Sequence, residues 1–216
     1  MINYDSYEYI EFDWINRFPE EAEGLTLWRT FLSEPISEFP RPEQRPMQIT
    51  TPRVFVSYKS QNREYALRIA YLSNEEGFNY WLDVLDPVLK RVTQQHSVLT
   101  PEQKAFAIAA IIEMALLNSS HVIASITPLT WDSRWVPYEF GRIKDDFVLA
   151  HQASSWIAPN QQTNLPEYLN LCPQSFSESD IRSWLKNERN IWENKNGIKL
   201  PRPATKWTLP IPPQLP

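Results

Sequence analysis

The strongest constraint on this chain is the alternation of short apolar runs with helical stretches from Arg53 onward. RVFVSY (53–58) is β-branched and aromatic almost throughout, the pattern of a strand buried on both faces. From Asn62 to Glu76, Tyr65, Leu67, Ile69, Ala70 and Leu72 fall at helical spacing. Gly77 then stands where a left-handed residue ends a helix. FNYWL (78–82) follows at once as a second strand. Strands joined through a helix and so short a junction pair in parallel, which makes this an α/β fold.

The pattern continues less evenly. Residues 83–100 read as a polar, irregular connection containing Pro87. Thr100-Pro101-Glu102-Gln103 has the form of a helix start: a threonine cap, proline at the first position, glutamine three residues on. The helix runs through AFAIAAIIEMALLN and is apolar on nearly every side, as a deeply placed helix is. HVIASIT (121–127) is a third strand, stopped by Pro128. Ser133–Leu149 reads as a further helix, with Pro137 tolerable only in its first turn, and SSWI (154–157) as the last strand. Ser179-Asp180 is placed to cap an amphipathic helix bearing Ile181, Trp184, Leu185, Ile191 and Trp192. The closing LPRPATKWTLPIPPQLP has six prolines in seventeen residues, so it reads as an extended or disordered arm. Trp207 is its one large anchor.

Charge divides the chain into parts. Residues 1–50 hold ten acids and four bases, whereas 51–216 hold sixteen and seventeen. The first fifty residues therefore read as an acidic, aromatic-rich extension. Pro19 could open a helix there with Leu25, Trp28, Phe31 and Leu32 on one face, and FPRPEQRP (39–46) forms a linker. The expected organisation is this extension, a central domain over 51–160, and a C-terminal helix with its proline-rich tail over 161–216. The net charge of −5 argues against direct nucleic-acid binding, which requires basic surface. Cys172 is the only cysteine, so no internal disulfide forms. The acidic N-terminus lacks the order of a secretory signal. The most apolar stretch, Ala105–Leu117, is too short to span a bilayer. The expectation is a cytoplasmic protein without a membrane partner.

In an open parallel sheet, ligands bind beyond the carboxyl ends of the strands. Three places meet that rule. After the first strand come Ser57, Tyr58 and Lys59; after the second, Asp83; after the third, Thr127 and the loop through Trp131, Asp132 and Ser133. The next helix carries Trp135 and Glu139 as W-x-x-x-E, neighbours on one helical face. His96, His121 and His151 lack metal-ligand spacing. No histidine stands near Ser57 in sequence to make it a nucleophile.

RVFVSY, GFNYWLD, LLNSSHVIASITP and SRWVPYEFGR, in this order and spacing, resemble a bacterial Toll/interleukin-1 receptor (TIR) domain over about half the chain. The resemblance implies a flavodoxin-like open parallel sheet with helices on both faces. It also implies that NAD is the substrate, cleaved to nicotinamide and ADP-ribose or a cyclised isomer. No cofactor and no metal take part. Glu139 occupies the position of the family's catalytic glutamate. Ser57, Tyr58, Lys59, Asp83, Trp131 and Trp135 are the implied NAD contacts. Self-association, with an activating protein or nucleotide signal, belongs to the same expectation, as does a role in bacterial defence or stress. The family also contains non-catalytic scaffolds. The animal-adaptor loop pattern is absent, because the segment reads DVLDPVLKR. Ser57-Tyr58 is not the acidic pair of a phosphoacceptor receiver domain.

Overall fold

A computed structural model of the chain describes residues 52–94, 101–142, 152–159 and 165–216. The extension over 1–50 with its helix and linker, the Thr100 cap and the far end of the 133–149 helix lie outside the described residues.

Five strands form one wholly parallel sheet: β1 (Arg53–Ser57), β2 (Asn79–Trp81), β3 (His121–Ile126), β4 (Ala153–Ile157) and β5 (Gln174–Ser175). Their order is β2-β1-β3-β4-β5, the flavodoxin-like arrangement, in which the chain reverses direction between β1 and β3. β1, β3 and β4 are buried at every residue, which explains why they read as continuous apolar runs.

Register assigns the two faces. Val54 lies beside His121, and Ser125 beside Trp156, so these four side chains share one face. Helix α1 (Arg63–Glu75) covers that face, setting Tyr65 against Trp156 with ring centroids 4.8 Å apart. Ala66, Ile69, Ala70 and Leu72 of α1 are fully buried. Burial on this scale stabilises by about 1.5–3 kcal/mol for each large aliphatic side chain. Arg53, Phe55 and Ser57 point to the opposite face, where Phe55 stacks on Trp81 at 4.7 Å.

Gly77 adopts φ +93° at the end of α1, as its position in the sequence suggests. It is also approached closely: a β-carbon there would sit 2.9 Å from the Pro201 carbonyl oxygen.

Residues 83–94 and 101–118 belong to a second compact unit. Residues 83–94, the described part of the segment after β2, are not irregular, as the segment's polarity suggested. A 3-10 turn (Asp83–Leu85) leads into α2 (Pro87–Gln94), which packs against α3 (Pro101–Leu117). Pro87 occupies the first helical position, and Leu89 and Val92 bury one stripe. Asp86 caps this helix through its Oδ1, which accepts from the Leu89 amide at 3.0 Å.

The helix after β3, α4, runs over Trp135–Arg142 in the described residues, starting two residues later than Ser133. Ser133 Oγ instead accepts from the Val136 amide at 3.3 Å, and Pro137 falls in the first turn.

The sheet does not end at SSWI. Beyond residue 160 the chain adds a 3-10 helix (Glu167–Leu171), strand β5 and helix α5 (Glu178–Asn196). The cap of α5 is Ser177, not Ser179: Ser177 and Asp180 form a reciprocal capping box. α5 packs against α1. The proline-rich end is an ordered, extended strap. Its Thr205 amide and hydroxyl both donate to Asn74 Oδ1 at 2.9 Å. Trp207 seats its ring against Tyr71 and Tyr80 at 5.2 and 5.4 Å. Arg68 of α1 is bidentate to Glu178 at 2.7–2.8 Å and donates to the Pro212 carbonyl. No helix among the described residues is long and apolar enough to cross a membrane.

Candidate active site

Polar side chains gather at the carboxyl edge of the sheet, where the strand order reverses between β1 and β3. Ser57 is the last residue of β1, on the face opposite α1. Its Oγ donates to Glu139 Oε2 of α4 at 2.6 Å, within the short range of charge-assisted O–H···O⁻ bonds. Both residues are buried, Glu139 to 7% exposure. This bond, together with the register of β1, puts α4 on the sheet face that α1 does not cover. Val136 and Phe140 bury themselves on either side of Glu139 along the helix and fix its turn.

Beside this pair, Asn62 Nδ2 donates to Thr127 Oγ1, tying the turn after β1 to the end of β3. Thr127 begins a capping box with Thr130 that shapes the 3-10 turn Pro128–Thr130. Nothing in the sequence marked Asn62 as part of this cluster. Its partner lies 65 positions away, so only the parallel pairing of β1 with β3 makes them neighbours.

The other expected site residues are spread more widely. Tyr58 and Lys59 follow β1 and are half-buried. Lys59 contributes its carbonyl, which accepts from the Asn62 amide at 2.7 Å. Trp135 is 41% exposed and meets Tyr138 edge-on at 5.9 Å. Asp83 lies in the other compact unit, where Oδ1 accepts from the next amide, that of Val84. Ser57 was expected among the NAD contacts. Its single hydroxyl proton is engaged by Glu139, which makes it first a partner of the carboxylate.

Trp131 lines a different feature. A cleft of about 350 Å³ lies on the Pro137 side of α4, bounded by Ile126, Thr130, Trp131, Pro137, Pro166, Glu167 and Tyr168. Glu139 is not among its walls. Positions 137 and 139 lie roughly 200° apart around a helix of 3.6 residues per turn, so one helix serves two separate places.

Among the described residues no group of three or more His, Cys, Asp or Glu side chains is arranged to hold a metal ion. A comparison with protein-family models, curated proteins and solved structures finds nothing that matches this chain.

Proposed function

We propose that the chain is a TIR-domain NAD glycohydrolase or ADP-ribosyl cyclase with Glu139 as its catalytic carboxylate. The observation that carries the reading is the buried Ser57–Glu139 bond at the point where the strand order reverses. A helix glutamate is ordinarily solvated. Here it is held inside, at the strand-order reversal where open parallel sheets bind ligands. The resemblance of RVFVSY, GFNYWLD and SRWVPYEFGR to TIR motifs supplies the substrate class.

In this reading the bond between the nicotinamide nitrogen and the ribose carbon breaks, and its electron pair leaves with nicotinamide, which becomes neutral. Positive charge develops on the ribose, and the Glu139 carboxylate stabilises it. Water then attacks the same carbon and releases a proton, giving ADP-ribose. Attack by an adenine nitrogen or a ribose hydroxyl gives a cyclic isomer. Because Glu139 is only 7% exposed, substrate reaches it after neighbouring groups move. That accords with an enzyme kept quiet until subunits assemble or an activator binds.

Nicotinamide release from NAD, measured across a range of protein concentrations and under enforced clustering, tests the reading. Glu139→Gln should lower turnover by at least about a hundredfold while retaining the wild-type circular dichroism and melting curve. Equal turnover in both proteins removes Glu139 from the mechanism. A non-catalytic interaction module is the second reading, and the exposed apolar side chains Leu129, Trp131, Trp135 and Tyr138 favour it. Clustered protein that binds a partner through these side chains but releases no nicotinamide would decide for that reading.

A further inference from the structure

The cleft on the Pro137 side of α4 has a construction of its own. Two of its walls are aromatic, the Trp131 indole and the Tyr168 phenol, and two more are the flat rings of Pro137 and Pro166. Tyr168 is set in place by Phe140 of α4, ring centroids 5.5 Å apart. Leu169, fully buried, anchors the short helix that carries Glu167 and Tyr168. The hydroxyl of Thr130 is already used: it donates to the Thr127 carbonyl at 2.7 Å and accepts from the Thr127 amide at 3.0 Å.

Among the described residues, one charged side chain lines the cleft, the Glu167 carboxylate. Glu167 is exposed and has no hydrogen-bond or ion-pair partner among the described residues. Among the described residues no lysine or arginine lines the walls, so the charge they present favours a cation over an anion. Burial pushes the Tyr168 phenol above its ordinary range, which keeps it a neutral π surface.

We propose that this cleft binds a guanidinium group, the head of an arginine residue, stacked on Trp131 and Tyr168 and paired with Glu167. A guanidinium is the cation that meets all three features together. It is planar, so it lies flat on aromatic and prolyl faces. It is weakly hydrated, so leaving water is less costly than for an ammonium. Its fork of N–H donors matches the two oxygens of a carboxylate. The volume of about 350 Å³ lies within the range of small-ligand sites and exceeds what the head group alone would fill. An arginine presented by a polypeptide would fill more of it with its stem and flanking backbone. This proposal rests on the cleft alone and stands or falls apart from the role of Glu139.

The test uses the full chain, titrated by calorimetry with three capped amino acids. N-acetyl-arginine amide carries the planar cation, N-acetyl-citrulline amide is its neutral isostere, and N-acetyl-lysine amide is a charged but non-planar control. The arginine compound should bind at least about threefold more tightly than either of the others, the scale of one exposed cation–π contact. Glu167→Gln should erase its advantage over citrulline. Trp131→Ala should weaken it at least about threefold. Both side chains are exposed, so both variants should keep the wild-type circular dichroism. Free arginine separates the sources: binding equal to the capped form assigns the cleft to the amino acid, and weaker binding assigns it to arginine within a polypeptide. Citrulline or lysine binding as tightly as arginine would overturn the proposal. So would unchanged affinity in both variants, or no binding of the arginine compound.

Discussion

Ser57 has one hydroxyl proton and gives it to Glu139. A hydrogen bond to a charged, buried acceptor contributes about 1.5–3 kcal/mol. Removing it should therefore affect both the placement of the carboxylate and the stability of the fold. In the proposed reaction, Ser57→Ala is expected to lower kcat for nicotinamide release by roughly tenfold to a hundredfold, with little change in KM. Ser57→Thr, which keeps the hydroxyl, should restore part of that loss. Unaltered kcat in a destabilised Ser57→Ala protein would leave the hydroxyl a packing role only. His121 makes a second, independent residue-scale case. It is fully buried among Phe78, Trp184 and Trp192, with Ser120 Oγ 2.8 Å from its Nδ1 and Glu188 Oε2 3.6 Å from its Nε2. Burial lowers its pKa, and the nearby Glu188 only partly opposes that. The folded state therefore holds the neutral ring while the unfolded chain takes up a proton below about pH 6.5. Its contribution is complete above that value and declines as pH falls through it. Urea midpoints measured from about pH 7.5 to pH 5 should fall, and His121→Phe should flatten that part of the curve. A variant whose curve parallels the wild type would clear His121 of the effect.

At the scale of elements, what could be read in the sequence depended on how local its cause was. The three central strands and α1 announced themselves because burial on both faces or on one stripe leaves a periodic trace. β5 left none, since two residues carry no period, and Gln174 and Ser175 pair only because β4 is already there. α2 was hidden by its polar residues, although Pro87 with Leu89 and Val92 carried a weak signal. The cap of α5 was misplaced by two residues because Ser177 and Ser179 compete locally, and the reciprocal bond with Asp180 decides between them. Gly77 was legible as a helix terminator. Its second duty was not, because Pro201 comes from 124 positions further along. Gly77→Ala should consequently cost more than the usual left-handed penalty of about 1 kcal/mol, because a methyl group must also displace the strap. A melting-temperature drop matching that of an ordinary glycine-to-alanine change would show that Pro201 yields freely.

At the scale of the molecule, the α/β class and the place of Glu139 on the helix after β3 were readable, and the geometry joining that helix to the sheet was not. W-x-x-x-E named Glu139, yet its bond to Ser57 spans 82 positions and exists only through the sheet order. The cleft had no sequence trace, because Trp131, Pro137 and Tyr168 converge from three segments. The proline-rich end, expected as an extended or disordered arm, is held by chemistry that composition does not reveal. Arg68 holds the Glu178 carboxyl below the usual glutamate range, its hydrogen bond being the larger cause. That stabilisation is present above the ordinary glutamate pKa of about 4.3 and is lost as pH falls through it toward the lowered value. Limited proteolysis of the strap should accelerate as pH is taken from about 6 to about 3.5, and Arg68→Met should remove most of the difference. Identical acceleration in the variant would mean that another acid governs it. Cys172 lies buried directly after the short helix that carries Glu167 and Tyr168, its thiol 3.4 Å from the Leu169 carbonyl. As the chain's sole sulfhydryl, it is a built-in stopwatch. The rate at which an alkylating reagent finds it reports how often that cleft wall comes loose, with no label to engineer.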